Sequence, residues 1–294
     1  MPSDDQEFLE LSGINSHSSP RTILSDEEFP ILKGLSPLSL RILNDGARLI
    51  HVAKDVELLH EGDKPHDLCF IKQGKISIAK RNAGKLKILA QLGTGEVCGE
   101  YGILRKKTRY ASVFTAEASD IIRIELSAVE QVLDADPRFN KQLNKLLNQR
   151  MLDSFFFSHP IFKDIPRDTR IELSKELTVH AYGHNNRLFT QGEKPTGVFL
   201  ILSGEIEVHY LNYNRDELLL EIRRDNDLVG ELAAKNGTSL AYSAISASDV
   251  DALHLDARTM KSIRDHHPET FNLLQQYINK RAEQTAERLK ASAR

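Results

Sequence analysis

The sequence predicts a mainly β chain with flanking helices, built from two tandem copies of one sandwich or barrel domain. One observation is internal repetition, because residues recur at a spacing of 130 or 131 positions. A long period that occurs only twice indicates a duplicated domain rather than a solenoid of short units. The other observation is that each copy contains short apolar strands interrupted by turns and ends in a helix. The 294 residues are enough for two domains of ordinary size.

The repeat extends from a proline motif to the closing helix of each copy. Its spacing is 130 up to a hairpin glycine and 131 afterwards, so the second copy has gained one residue between these points. We therefore predict domains at residues 25–154 and 155–294, preceded by a Ser- and Asp-rich segment, residues 1–24, that is expected to be mobile. The matched pairs include Pro30 and Pro160, Gly74 and Gly204, Gly99 and Gly230, Glu100 and Glu231, and Pro137 and Pro268.

Each element of the first copy has a local reason in the sequence. Ser36 and Pro37 are typical of a helix N-cap and first helical position, so a short helix is expected there. The apolar run from Leu68 to Ile71 predicts a strand that ends at Gly74, a glycine placed for a turn with positive φ. A closing helix begins at Pro137, and its apolar residues recur at helical spacing. The second copy repeats this order.

The second closing helix begins at Pro268 and carries an apolar face as far as Ile278. Beyond Ile278 the chain reads NKRAEQTAERLKASAR, which we expect to be too polar to be buried. This part of the helix is therefore predicted to be a solvated tail or a weak partner-binding helix.

Composition and charge argue against several classes of protein. The 39 basic and 42 acidic side chains give a formal charge of -3, so no global basic field draws the chain to nucleic acid or anionic lipid. The acidic N-terminus and the lack of a long apolar run predict a cytoplasmic protein without a membrane span. Cys69 and Cys98 are expected to be buried reduced thiols. The histidines form no metal-binding pattern, so no metal is expected.

The most informative stretch is CGEYGILRKKTRYASV, residues 98–113. A cyclic nucleotide offers an anionic phosphodiester, a free ribose hydroxyl and a flat purine. Arg109 can hold the phosphate through a forked, charge-assisted contact, to which nearby backbone amides can add. Glu100 can accept a hydrogen bond from the ribose 2′-hydroxyl, and Gly99 allows the backbone to approach the ligand closely. Considered alone, Arg109 would be interpreted as a solvated surface charge, and Glu100 as a buried acid with a structural role. The presence of both residues at this spacing favours a ligand-binding site.

These residues resemble the phosphate-binding cassette of the cyclic-nucleotide-binding domain family, which includes the catabolite activator protein and the regulatory subunits of cyclic-AMP-dependent protein kinase. The resemblance covers about residues 25 to 290 and implies a β-jelly roll with flanking helices in each copy. It implies cyclic AMP as the ligand, with cyclic GMP as the second choice. The ligand-binding residues that it implies are Gly99, Glu100, Tyr101, Arg109, Tyr110 and Ala111.

The first cassette departs from the family pattern at two tyrosines. Tyr101 stands where the family usually has leucine, and this difference is expected to be a harmless core substitution. Tyr110 stands where the family commonly has a small residue that helps to read the purine. A phenol at this position can stack on the base or crowd it, so Tyr110 bears directly on the choice of nucleotide.

The second copy lacks the cassette arginine. Its stretch reads VGELAAKNGTSLAYS, residues 229–243, where Gly230 and Glu231 match the first copy but Leu240 occupies the arginine position. No arginine occurs from position 225 to position 257, so a bound phosphodiester is expected to lack a cation. We therefore predict a vestigial second site at Gly230, Glu231 and Leu240. Restoring binding is expected to require Leu240→Arg together with Tyr242→Ala.

Together these features predict a non-enzymatic cyclic nucleotide sensor that signals to an unidentified protein partner through the helix between its domains. No helix-turn-helix follows either domain, so DNA binding is not expected. Related jelly-roll enzymes use clustered metal-binding histidines, which this sequence does not contain, so catalysis is not expected. An interaction scaffold, with vestigial pockets or a different ligand, is the alternative.

Overall fold

The computed structural model describes residues 15–17, 23–82, 85–159 and 162–292. The chain divides into two compact units, Met1–Leu147 and Asn148–Arg294. Most of the N-terminal segment that was expected to be mobile, residues 1–24, lies outside the described residues. The predicted domain boundary at residues 154 and 155 falls within a helix, Pro137–Ser158, that begins in the first unit and ends in the second.

Short antiparallel strands form the body of the first unit. They are β1 Asn15–His17, β2 Ala47–Val52, β3 Glu57–Leu59, β4 Asp67–Gln73, β5 Lys75–Asn82, β6 Lys85–Gly93, β7 Val97–Cys98, β8 Ser112–Thr115 and β9 Ser119–Glu125. They form two sheets, with the strand orders β1-β2-β9-β4-β7 and β3-β8-β5-β6. Ile50 and Ile121 from one sheet and Ile76 and Val113 from the other are buried in the same apolar cluster, so the two sheets share a core.

Helices flank these sheets. They are α1 Pro37–Asp45, α2 Glu100–Arg105, α3 Leu126–Ala135 and α4 Pro137–Ser158, with a short 3₁₀ helix at Pro30–Leu32. Helix α1 begins as predicted, because the Ser36 hydroxyl accepts a hydrogen bond from Ser39 N at 3.0 Å and Pro37 follows the cap. Cys69 and Cys98 are buried, as expected.

The second unit repeats this arrangement. Its strands are β10 Val179–Tyr182, β11 Arg187–Phe189, β12 Val198–Ser203, β13 Ile206–Leu211, β14 Glu217–Arg223, β15 Leu228–Val229, β16 Ser243–Ser246 and β17 Val250–Leu255. Its sheet orders, β10-β17-β12-β15 and β11-β16-β13-β14, match β2-β9-β4-β7 and β3-β8-β5-β6 strand for strand. Its helices are α5 Arg167–Glu176, α6 Glu231–Asn236, α7 Ala257–His266 and α8 Pro268–Ser292.

The predicted fold class is confirmed: the chain is mainly β with flanking helices, in two tandem domains of the jelly-roll type. The hairpin glycines adopt the predicted positive φ, 103° at Gly74 and 100° at Gly204. Both closing helices begin at the predicted prolines, α4 at Pro137 and α8 at Pro268. Local turn and cap signals therefore located the elements correctly.

One expectation about helix α8 is wrong. The stretch beyond Ile278 was expected to be too polar to be buried, yet Arg281, Ala282 and Thr285 are buried in the second unit. Ala282 belongs to an apolar core cluster of this unit. The other two side chains are buried because the second unit supplies charged and hydrogen-bonding partners for them, and a count of polar residues does not show such partners.

Candidate functional site

The first cassette links a strand, a short helix and another strand. Strand β7 ends at Cys98, Gly99 precedes α2 with a left-handed φ of 93°, and β8 begins at Ser112. A Cβ atom on Gly99 would lie 2.6 Å from Nη1 of Arg109, so a side chain at this position would displace the arginine. The local backbone therefore brings Gly99 and Arg109 into direct contact.

Arg109 is a buried cation rather than a solvated surface charge. Only 5% of the residue is exposed. Its Nη2 donates to the carbonyl oxygen of Asp67 at 2.8 Å and to Oδ1 of the same residue at 2.6 Å, and its Nη1 donates to Gly99 O at 2.9 Å. The second oxygen of Asp67 accepts a hydrogen bond from Nε of Arg123. This carboxylate fixes the guanidinium beside the N-terminus of α2.

Asp67 and Arg123 are not among the site residues predicted from the sequence. Asp67 is buried and opens β4, whose next four residues are apolar and buried. A charged residue at the start of an apolar strand was the available signal, because a buried arginine needs an acidic partner. Sequence spacing alone did not connect Asp67 with Arg109, which lies 42 positions later.

The other predicted site residues lie around this pair. Glu100 is the first residue of α2 and is buried, and Ala111 is buried directly before β8. The rings of Tyr101 and Tyr110 lie with their centroids 4.9 Å apart. Nζ of Lys80, on β5, lies 3.9 Å from the centroid of the Tyr110 ring, in a cation–π contact.

The second cassette has the same backbone but a different set of side chains. Gly230 has φ 91° before α6, like Gly99 in the first cassette. The backbone of Leu240 donates to Glu193 O at 2.9 Å, as Arg109 donates to Asp63 O at 2.7 Å. The Leu240 side chain lies in an apolar core cluster of the second unit. The position that corresponds to Asp67 is a glycine, 130 residues later in the chain.

A cation outside the stretch considered in the sequence lies beside the second cassette glutamate, where it pairs with that glutamate. It is Arg223, the last residue of β14, and neither Arg223 nor Glu231 is exposed to solvent. Nη1 of Arg223 lies 2.8 Å from Oε2 of Glu231, and Nη2 lies 3.0 Å from Oε1. The prediction rested on residues 225–257, whereas this arginine precedes the cassette by a few residues.

Two hydroxyl groups complete what we call the Glu231 cluster, which consists of Arg223, Glu231, Tyr242 and Thr285. The Tyr242 hydroxyl donates to Oε2 of Glu231 at 2.5 Å and accepts from Gly230 N at 2.7 Å. The Thr285 hydroxyl, from α8, donates to Oε1 of Glu231 at 2.5 Å. All four side chains of the cluster are buried.

The electrostatics of the Glu231 cluster follow from its burial. Burial raises the pKa of Glu231, but the charge of Arg223 and its hydrogen bonds outweigh burial and hold this pKa below its usual value. Burial raises the pKa of Tyr242 well above its usual value. The cluster therefore contains an ionised carboxylate, a guanidinium and a neutral phenol that donates its proton.

Within the described residues, no group of His, Cys, Asp and Glu is arranged to hold a metal ion. In the same part of the chain, none of the helices combines the length and the apolar character that a membrane span needs.

The chain belongs to the cyclic nucleotide-binding domain family, whose profile matches residues 49–136 and 179–267. The two matches confirm the tandem arrangement and the resemblance inferred from the cassette residues. Similar curated proteins include a cGMP-dependent protein kinase, isozyme 2, of Drosophila melanogaster, which is 22% identical over 83% of this chain and 21% of that protein. Another is a cAMP-dependent protein kinase regulatory subunit of Mycosarcoma maydis, 24% identical over 57% of this chain and 30% of that protein.

The chain spans only about a fifth to a third of the length of these two relatives. Similar solved structures include the regulatory domain of Toxoplasma gondii PKA with cAMP, at 17% identity and a TM-score of 0.38, covering 87% of this chain and 92% of that one. The regulatory subunit of a cAMP-independent protein kinase A from Trypanosoma brucei is 15% identical with a TM-score of 0.40, covering 93% and 100%. These scores lie below 0.5, and the family assignment rests on the sequence match.

Proposed function

We propose that the chain is a non-enzymatic regulatory protein whose first unit binds a cyclic nucleotide and whose second unit does not. The ligand we propose is cyclic AMP, with cyclic GMP as the weaker alternative. The observation that carries the proposal is the buried Arg109, held by Asp67 and placed against Gly99 at the start of α2.

Arg109 has the donors that a phosphodiester requires. Among the described residues, its hydrogen bonds to Asp67 and Gly99 use three of the five N–H donors of a guanidinium. Two donors therefore remain for the exocyclic oxygens of the phosphate. Because the guanidinium is already fixed by Asp67, little conformational entropy is lost when an anion binds.

Glu100 and Tyr110 are proposed to contact the rest of the nucleotide. Glu100 accepts a hydrogen bond from the ribose 2′-hydroxyl, which is the role that family resemblance gives this position. The ring of Tyr110 is proposed to stack on the purine, and the adjacent Lys80 to donate a hydrogen bond to it. The curated relatives include both cGMP- and cAMP-dependent kinase proteins, so both nucleotides belong in the test.

Helix α4 is the proposed route from the first unit to the output. It places Phe139 and Leu143 in the apolar core of the first unit, and Leu152 and Phe155 in the apolar core of the second. We propose that nucleotide binding displaces α4, because packed cores respond to small displacements. The output is proposed to be binding to a protein partner.

The test is calorimetric titration of cyclic AMP and cyclic GMP into the full chain. We expect one site per chain, with cyclic AMP the tighter ligand, and no heat from AMP, whose open phosphate has a different shape and charge. Two sites per chain would contradict the assignment of the second unit. No heat from either cyclic nucleotide would contradict the whole proposal and favour an interaction scaffold.

A further inference from the structure

The closing helix of the second unit inserts a hydroxyl group into the second cassette. Thr285, at the start of the final third of α8, is fully buried and its Oγ1 lies 2.5 Å from Oε1 of Glu231. The same oxygen of Thr285 accepts a hydrogen bond from Nη2 of Arg223 at 2.7 Å. Glu231 is the counterpart of Glu100, the residue proposed to accept a ribose hydroxyl in the first unit.

These contacts leave Glu231 with no acceptor capacity for a ligand. Oε1 accepts from Arg223 and Thr285, and Oε2 accepts from Arg223 and Tyr242. A carboxylate oxygen offers two lone pairs, so each oxygen is satisfied. A ribose hydroxyl could bind only by displacing one of these buried groups, which would then lose its partner.

We propose that Thr285 substitutes for the ribose hydroxyl of a nucleotide, and thereby holds helix α8 closed over the second cassette without any ligand. The second unit is then a permanently closed domain, whereas the first unit closes in response to nucleotide. This inference extends the proposed function, from which it takes the role of the cassette glutamate.

Neighbouring contacts place Thr285 in this position. Arg281, one turn earlier on α8, pairs with both carboxylate oxygens of Asp227 at 2.8 Å and with Glu221 at 3.0 Å. The hydroxyl of Tyr277, a further turn earlier, donates to Asn226 O at 2.6 Å. These groups attach α8 to the end of β14 and to the turn before β15, so the register of the helix is fixed.

Hydrogen exchange measured by mass spectrometry on the full chain without nucleotide tests this inference. Thr285→Val keeps the shape of the side chain and removes only the hydroxyl, so amides in residues 279–292 should exchange about tenfold faster or more. Thr285→Ser keeps the hydroxyl and should exchange close to the wild-type rate. Thr270→Val is the matched control, because Thr270 is also buried on α8 but lies outside the Glu231 cluster; it should leave residues 279–292 unchanged.

Two results would overturn the inference. One is unchanged exchange in residues 279–292 for both Thr285→Val and Glu231→Ala, since each removes one partner of the proposed contact. The other is slower exchange of these residues when cyclic AMP or cyclic GMP is added to the Arg109→Ala chain, because the second cassette would then accept nucleotide. Failure of the proposed function is distinguished from both results, since it appears in the calorimetric titration as absence of heat in the wild-type chain.

Discussion

The two cassettes share a left-handed glycine followed by a glutamate, yet the arginine comes from different places. In the first unit Arg109 belongs to the cassette and is paired with Asp67, which lies outside it. In the second unit Arg223 comes from β14 and is paired with the cassette glutamate itself. The same cassette backbone therefore lies beside a buried arginine in both units, but in the second unit this arginine is bound to the cassette glutamate.

Where the second unit has lost a buried charged residue, it has also lost the oppositely charged partner of that residue. The second unit lacks both members of the Arg109–Asp67 pair, which are replaced by Leu240 and Gly197. A buried arginine and its buried acid are thus absent together, and neither charge is left without a partner. The second unit has instead gained Arg223, at a position where the first unit has an apolar side chain on β6.

The largest expected effect is the loss of stability in Arg223→Leu. This change leaves Glu231 as a buried charge without its guanidinium, and breaking a buried pair in this way costs about 3–5 kcal/mol. Denaturation by urea should show the loss in the second unit. Arg224→Leu is the control, because Arg224 is exposed and its pair with Glu205 is worth less than about 1 kcal/mol.

A second variant sharpens this result. Adding Glu231→Gln to Arg223→Leu removes the unpaired charge, so part of the lost stability should return. Equal destabilisation by the Arg223 and Arg224 variants would mean that the Glu231 cluster does not stabilise the second unit.

The next effect is the loss of nucleotide affinity in Arg109→Ala. Removing the charge-assisted contact should cost on the order of 3 kcal/mol of binding free energy, a loss above 100-fold. Arg105→Ala, in the same basic run, should change affinity less than tenfold. Glu100→Ala should weaken binding less than Arg109→Ala, because a ribose hydroxyl is neutral. Calorimetric titration measures all three variants, and unchanged affinity in Arg109→Ala would contradict the assignment of the first site.

A smaller effect is expected when the second cassette is converted into a binding site. The sequence predicted that Leu240→Arg with Tyr242→Ala would be sufficient. The structure changes this prediction, because Arg223 would still occupy both oxygens of Glu231 after those two substitutions. We expect binding only when Arg223→Leu, the residue type that the first unit has on β6, and Thr285→Val, which removes the hydroxyl bound to Glu231, are added to the other two.

This conversion is best measured in an Arg109→Ala background, so that the first site does not contribute. Binding of cyclic AMP by the double variant alone would show that Arg223 is displaced easily. The conversion therefore tests whether the missing cassette arginine alone, or also the groups that bind Glu231, keep nucleotide out of the second unit.

The sequence was sufficient for the fold because local signals and the repeat agree. Glycine turns, proline helix starts and alternating strands are local properties, and each is present twice. The hydrogen-bond partners of the two cassettes could not be predicted from the sequence, because Asp67 is 42 positions from Arg109 and Thr285 is 54 positions from Glu231. Side chains that meet only through tertiary packing leave no mark in local spacing, and for this reason the part of α8 beyond Ile278 was also wrongly expected to be too polar to be buried.

The smallest effect concerns a histidine in the second unit that has a phenylalanine counterpart in the first. His159 and Phe29 occupy corresponding positions, 130 residues apart, and both are buried. Phe29 packs edge-on against Phe70 with ring centroids 5.0 Å apart, while His159 lies among Phe162, Phe155 and other rings. The apolar surroundings are therefore similar, but only the second unit contains a group that can be protonated there.

This difference predicts that, between pH 7 and pH 5, protonation at this position destabilises the second unit and not the first. Burial lowers the pKa of His159 to about 4, and the hydrogen bond with the backbone of Asn226 and the charge of Asp227 only partly oppose this. In the unfolded chain the pKa of this histidine is about 6.5. Between that pH and about pH 4, the histidine is therefore protonated in the unfolded state but remains neutral in the folded state. The contribution of this group to the free energy of unfolding is fully present above about pH 6.5 and falls towards pH 4, by at most about 1.4 kcal/mol per pH unit.

Urea-dependent hydrogen exchange between pH 7 and pH 5 should show this decline in the second unit. The decline should be absent in His159→Phe, and it should appear in the first unit in Phe29→His. A decline that persists in His159→Phe would assign the acid sensitivity to other groups.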